Sequence, residues 1–186
     1  MIIDQIEKSK IHEIRIIAPQ IHEDDRGYFF ESYNANNFKK LGLPIKFLQD
    51  NQAFSKKNTL RGLHYQLKYP QDKLVRVVQG EVFDVAVDIR QGSPTFGKYR
   101  TVQLSDKNNK IMYIPEGFAH GYLVLSETAL FQYKCTEFYH PEDEFGLLWS
   151  DKDLNIDWPI KDPILSKKDK RLLTLEAIDV KHLPQI

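Results

Sequence analysis

Between Tyr28 and Thr136 the chain is cut into short apolar runs separated by turn residues, and this spacing constrains the fold more than any other feature. The clearest run is Glu81 to Ile89, with Phe83, Val85, Val87 and Ile89 on one face and Asp84 and Asp88 on the other. Successive side chains of a strand point to opposite faces, so this alternation reads as a strand. Gly80 precedes it, and Gln91-Gly92-Ser93-Pro94 ends it with turn chemistry. Similar runs are Tyr28 to Tyr33, Lys46 to Phe54, Arg61 to Gln66, Lys73 to Gln79, Tyr99 to Leu104, Lys110 to Ile114, Gly121 to Leu125 and Ala129 to Thr136. Strands this closely spaced predict an all-β sandwich or barrel. Two peripheral helices are expected. One lies near Asn34 to Leu41, capped by Asn34. The other, near the C-terminus, runs from about Ser166 to Ala177, with Ser166 and Asp169 resembling a capping pair. Glu142 to Pro163, which holds Trp149 and Trp158, reads as a loop packed over the barrel.

The 186 residues suffice for one domain with a sizeable core, and no repeat or linker-like stretch divides residues 1–186. Lys+Arg and Asp+Glu both number 26, so the formal net charge is zero. A general nucleic-acid binder usually carries a basic excess. No apolar run approaches the ~20 residues of a membrane span. The first residues, Met1 to Glu7, lack the layout of a signal peptide. Cys135 is the single cysteine, which rules out an internal disulfide framework and suits a small buried hydrophobe. A cytoplasmic protein with no membrane and no nucleic-acid partner is expected.

Polar residues gather where the apolar pattern predicts an interior. Arg61-Gly62-Leu63-His64-Tyr65-Gln66 places an arginine and a histidine on one strand. Strict alternation sends Arg61 and His64 to opposite faces, unless a bulge at Gly62 re-aims one of them. A histidine is a base near neutral pH, and an arginine is a partner for phosphate. An isolated histidine on a strand is best read as a satisfied core residue. Here Arg61, Lys73, Gln49 and Asn51 keep His64 company, and such a set is costly to bury without a ligand. The pairing suggests proton chemistry on an anionic substrate. Tyr133 taken alone is a core aromatic, and could act as an acid if it projected into a cavity. Asp169 taken alone is a helix cap. Asp24-Asp25-Arg26-Gly27 is a solvated turn by default, from which Arg26 could clamp a phosphate.

Pro115-Glu116-Gly117-Phe118-Ala119-His120-Gly121 resembles the second motif of the cupin barrels, Pro-x-Gly-x-x-His. In metal cupins the first motif resembles His-x-His followed by a glutamate. Gln66 stands where the second histidine would fall, and Lys73 where the glutamate would. A protonated ammonium cannot ligate a metal. His64 and His120 alone are too few for a three-ligand catalytic site. The expectation is a cupin-type jelly roll without a metal.

Several motifs together resemble the dTDP-4-dehydrorhamnose 3,5-epimerases. They are Asp25-Arg-Gly-Tyr-Phe-Phe-Glu31, Arg61 to Gln66, the run Lys73 to Arg90, Gly92-Ser-Pro-Thr-Phe-Gly97, Pro115 to Gly121, Tyr133-Lys134 and Leu165-Ser-Lys-Lys-Asp169, spanning about residues 10 to 176. The resemblance implies a homodimer with strand exchange near the N-terminus and no cofactor. It also implies epimerisation of dTDP-4-dehydro-6-deoxy-D-glucose to dTDP-4-dehydro-L-rhamnose. It makes His64 the base, paired with Asp169, and Tyr133 the opposing acid. Lys73 sits near the 4-keto oxygen, and Arg61 and Arg26 meet the diphosphate. Which subunit supplies Arg26 stays open. Phe29, Glu31, Gln49, Asn51, His120 and Tyr139 are implied as further pocket residues. The alternatives are a C3-only epimerase or 3,4-ketoisomerase, a metal-dependent cupin enzyme, and a non-catalytic sugar-nucleotide binder.

Overall fold

A computed structural model describes residues 2–4, as backbone, and 11–186. Among the described residues thirteen strands appear in chain order. They are β1 (Ile2–Asp4), β2 (Arg15–Pro19), β3 (His22–Asp24), β4 (Gly27–Phe29), β5 (Gln49–Lys56), β6 (Leu60–Gln66), β7 (Lys73–Gln79), β8 (Glu81–Asp88), β9 (Tyr99–Ser105), β10 (Ile111–Ile114), β11 (Phe118–Val124), β12 (Thr128–Cys135) and β13 (Glu144–Gly146). One sheet has the order β1-β2-β10-β7-β12-β5, and a second has the order β13-β6-β11-β8-β9. The pairings within both sheets are antiparallel. β3 and β4 form a separate hairpin. The all-β architecture is the one the strand spacing predicts, and the two sheets make the jelly roll that the cupin resemblance implies. The expected N-terminal strand exchange falls on a segment of which residues 5–10 lie outside those described.

The five-stranded sheet is covered on both faces and the six-stranded sheet is covered on its inner face and on part of its outer face, so three apolar clusters form. Ile14, Ile16, Val75, Val77, Val82, Ala86, Leu104, Phe118 and Phe131 fill the space between the sheets. The outer face of the five-stranded sheet is covered by the C-terminal segment through Leu147, Leu154, Trp158, Ile178 and Leu183. Trp158 donates its indole N–H to the Trp149 carbonyl at 2.9 Å and packs edge-on against Phe83. The loop expected from Glu142 to Pro163 therefore does pack over the barrel, but it contributes the three residues of β13 as well. On the other side Phe38 and Leu43 pack against Ile17, Leu74 and Ile111. They belong to α1 (Ala35–Lys40) and the turn after it, and Asn34 caps α1 by accepting from the N–H groups of Asn36 and Asn37, as the sequence predicts.

Burial on both faces changes the meaning of Asp84 and Asp88. Their face of β8 meets no water, and both are fully buried. Asp88 accepts from Arg90, Ser93 and Thr95. Asp84 accepts from His120.

The helix expected from Ser166 to Ala177 is absent, and only a 3-10 turn forms at Asp169–Arg171. The backbone there spends its groups on tertiary partners. The Leu173 carbonyl accepts from the Leu148 N–H at 2.8 Å, and the Leu175 N–H donates to Asp151 at 2.7 Å. Ser166 does cap, accepting from the Asp169 N–H at 3.0 Å, but the Asp169 side chain turns into the barrel. The strand expected from Tyr28 to Tyr33 is likewise shorter, ending at Phe29.

Candidate active site

The site begins with the bulge in β6. Along β11, Tyr122 pairs with Arg61 and His120 with His64, and the register shifts between the two pairs. His120 and Tyr122 are two residues apart and share a face, so Arg61 and His64 share one too. Gly62 and Gly121 allow this. A Cβ on Gly62 would lie 2.5 Å from the His120 carbonyl, and one on Gly121 would lie 2.6 Å from that of Arg61. Gly62 also has φ +108°, which favours glycine.

The shared face looks into a cavity of about 310 Å³ between the sheets. Arg61, His64, Lys73, His120, Tyr133, Tyr139 and Asp169 all line it. The five-stranded sheet supplies Arg61, His64 and His120. Lys73 and Tyr133 reach in from β7 and β12, and Phe131 and Tyr122 stack 4.0 Å apart beneath them. Asp169 enters from the C-terminal segment.

His64 Nε2 lies 2.7 Å from Asp169 Oδ1. Burial works to raise the Asp169 carboxyl, but the hydrogen bonds of His64 and Ser166 outweigh it and hold the group below its usual range. An ionised carboxylate only accepts, so Nε2 carries a proton, and in the neutral ring Nδ1 then holds the lone pair. The lone pair is thus on the nitrogen that Asp169 does not hold. His120 Nε2 is held in the same way by Asp84, at 2.9 and 3.1 Å.

Lys73 is partly buried, and desolvation lowers its pKa, while Cys135, Glu144 and Asp84 oppose that shift. The Tyr133 phenol is pushed up to about 12, chiefly by burial. It therefore keeps its proton through the neutral range. Arg61 is braced by Ser55, which accepts from its Nε at 2.9 Å.

Gln49 and Asn51 stand on β5 beside the cavity and are not part of its lining. Gln49 accepts from the Tyr139 N–H at 2.9 Å and donates to Asn51 at 2.8 Å. Arg26, Phe29 and Glu31 are not brought to this cavity within the chain. Arg26 and Phe29 lie on or beside the β3–β4 hairpin, where Arg26 pairs with Asp24 in the open and Phe29 is 67% exposed. Glu31 accepts from Asn34 and Asn37 beside α1.

The structure adds Glu144, Ser166 and Lys168 to the lining. Glu144 was hidden in a segment read as loop. Ser166 and Lys168 were hidden in one read as helix. Asp84 did leave a signal, a carboxylate within an otherwise apolar strand. Among the described residues, no three His, Cys, Asp or Glu side chains converge to hold a metal ion.

The family pattern of dTDP-4-dehydrorhamnose 3,5-epimerase matches residues 8–177. The Escherichia coli protein called dTDP-4-dehydrorhamnose 3,5-epimerase is 52% identical over 174 residues, which cover 92% of this chain and 94% of that one. The epimerase RmlC of Legionella pneumophila, solved in complex with dTDP-4-keto-L-rhamnose, superposes with a TM-score of 0.95 at 48% identity, covering all of this chain and 99% of that one. ChmJ of Streptomyces bikiniensis, a 3'-monoepimerase solved with dTDP-quinovose, has a TM-score of 0.90 at 33% identity and covers 95% of this chain and 91% of that one. A matched pattern over nearly the whole length, relatives near half identity and a shared jelly roll place this chain in the dTDP-4-dehydrorhamnose 3,5-epimerase family.

Proposed function

We propose that this chain inverts C3 and C5 of dTDP-4-dehydro-6-deoxy-D-glucose to give dTDP-4-dehydro-L-rhamnose. The observation that carries the reading is that His64, Lys73 and Tyr133 line one cavity. A ketone at C4 acidifies the protons on C3 and C5, because the carbanion delocalises onto oxygen. His64 takes the proton, and the C–H electron pair passes into the enolate. Asp169 fixes the tautomer that leaves Nδ1 free, as carboxylates do in triads. Lys73 offers an ammonium to the enolate oxygen from a site already desolvated, so little reorganisation is needed as charge develops. Tyr133, still protonated, returns a proton to the opposite face. No redox step occurs, and the reaction as written needs no cofactor.

Arg61 and Arg26 meet the diphosphate in this reading, with Tyr139, His120, Gln49 and Asn51 shaping the pocket. The functional unit is a homodimer. Arg26, Phe29 and Glu31 lie away from their own cavity and exposed on a projecting hairpin or beside it, a placement suited to completing the site of a second copy. We take the compartment to be the cytoplasm, in keeping with one free cysteine.

Incubation with dTDP-4-dehydro-6-deoxy-D-glucose in deuterated water tests the reaction. Proton NMR should show deuterium at both C3 and C5 of an inverted product. The second reading is a C3-only epimerase, and the likeness to ChmJ favours it, since the same jelly roll carries a 3'-monoepimerase. Deuterium at C3 alone would decide for that reading.

A further inference from the structure

Glu144 takes no part in the reaction as set out above, yet it is bonded to Tyr139 and Lys168 and stands close to His64. Its side chain is 11% exposed. Oε2 accepts from the Tyr139 hydroxyl at 2.6 Å and from the Lys168 ammonium. Oε1 lies 3.5 Å from His64 Nδ1. Burial works against its ionisation, but Lys168 and Tyr139 hold the carboxyl below its usual range.

The contact with His64 changes character during the reaction. In the resting site Nδ1 holds a lone pair, because the ring proton is on Nε2 facing Asp169. Nδ1 then has no hydrogen to give, and no hydrogen bond joins it to Oε1 across the 3.5 Å between them. When the substrate's C–H proton moves to Nδ1, its electron pair enters the enolate and the ring becomes a cation. The same separation is then an ion pair in a partly desolvated place, where opposite charges attract more strongly than in water. An interaction that exists only after proton abstraction lowers the barrier to it, because it stabilises the charge-separated state and not the resting one.

The remaining charges around His64 make this need specific. Asp169 holds the other nitrogen, from the C-terminal segment. Lys73 on β7, Arg61 on β6 and Lys168 beside Asp169 also face the cavity, and each opposes a new positive charge on His64. His120 on β11 is tied to Asp84 behind it, and Tyr133 and Tyr139 are phenols. Glu144 is the carboxylate on the Nδ1 side. We propose that Glu144 is a positioning residue that stabilises the protonated His64 formed during proton abstraction. This rests on the reading of His64 as the base.

The test is Glu144→Gln in the purified enzyme, with deuterium exchange from solvent and full kinetics measured across pH. The amide keeps size and an acceptor but removes the charge. The expected result is a fall in kcat of about tenfold or more, with KM little changed and the acidic limb of the rate profile moved to lower pH. Glu144→Asp keeps the charge, and its acidic limb should stay where the parent's is, whatever its rate. Lys168→Met and Tyr139→Phe remove the tethers, and neither should move that limb to lower pH. An unmoved acidic limb in the Gln variant would overturn the proposal, as would the same displacement in the Asp variant or in Lys168→Met. If the Gln variant does not fold, the Asp and Met variants still decide. His64→Ala separates the two levels. Exchange surviving in that variant removes His64 as base and this proposal with it. If exchange is lost there but the limb is unmoved in Glu144→Gln, the proposal about Glu144 fails alone.

Discussion

His64 and His120 stand directly opposite each other on adjacent strands, and each gives its Nε2 to a different carboxylate, Asp169 and Asp84. The two imidazoles are thus separately anchored, although they share a cavity wall. His64 is anchored by a residue from the C-terminal segment, and His120 by its own sheet. Their carboxylates should therefore fail in different ways. Asp169→Asn should leave the fold intact and lower kcat by roughly 10²–10⁴ through the wrong tautomer. Asp84→Asn should chiefly lower stability, because Asp84 is fully buried and its loss disturbs a buried bonded pair. Thermal melts and kcat measured on both variants check the contrast.

His64→Ala and Tyr133→Phe should also differ. Without the base, solvent deuterium exchange at C3 and C5 should vanish. Without the phenol, some exchange should remain while inversion is lost, most visibly at C5. Proton NMR in deuterated water reads both, and equal loss of exchange in the two variants counts against this division of roles.

Lys73 bears on the alkaline side of the rate profile. Burial lowers its pKa, so it loses its charge at a lower pH than an exposed lysine would. Tyr133, pushed up to about 12, still holds its proton there. The alkaline limb of kcat/KM should thus report Lys73. In Lys73→Arg the charge persists, and that limb should move upward while the maximal rate falls through the altered geometry. Lys73→Met should lose about 10²–10³ in rate.

Asp88 makes a prediction about stability. Burial works to raise its carboxyl, but Arg90, Ser93 and Thr95 together hold it below its usual range. A carboxyl with a lowered folded-state pKa contributes stability above its unfolded pKa, about 4, and that contribution is lost as pH falls through the folded value. Asp88→Asn should cost roughly 2–4 kcal/mol at neutral pH. The gap between the variant and the parent should narrow below about pH 4. Denaturant melts at several pH values measure it.

The dimer reading predicts complementation. Arg26→Ala and His64→Ala should each be weakly active or inactive as homodimers. If Arg26 serves the partner's site, a mixed dimer holds one cavity with both residues intact, and activity returns on mixing. If Arg26 serves its own site, mixing restores nothing. Steady-state assay after co-refolding reads the difference.

The strands were legible because their signal is local. β7 runs from Lys73 to Gln79, as the alternation predicts, and β8 differs by a single residue at its end. The α1 cap was legible for the same reason, since Asn34 bonds to N–H groups two and three residues away. The helix at Ser166 was misread because Leu172, Leu173 and Leu175 mark burial without saying against what. There a neighbouring segment competes for the backbone groups that a helix would use.

Sequence by itself determined an all-β fold, the polar residues its interior must hold and, through its motifs, the jelly roll and the family. Their arrangement into a site was a matter of tertiary structure. Arg61 and His64 come to one face only because two facing glycines let β6 bulge against β11. Asp169 reaches His64 across 105 residues of chain, and Glu144 arrives on a three-residue strand that exists only by pairing with β6. Periodicity records which way a side chain points from its own backbone, whereas distances between remote carboxylates and a ring nitrogen depend on how the sheets close.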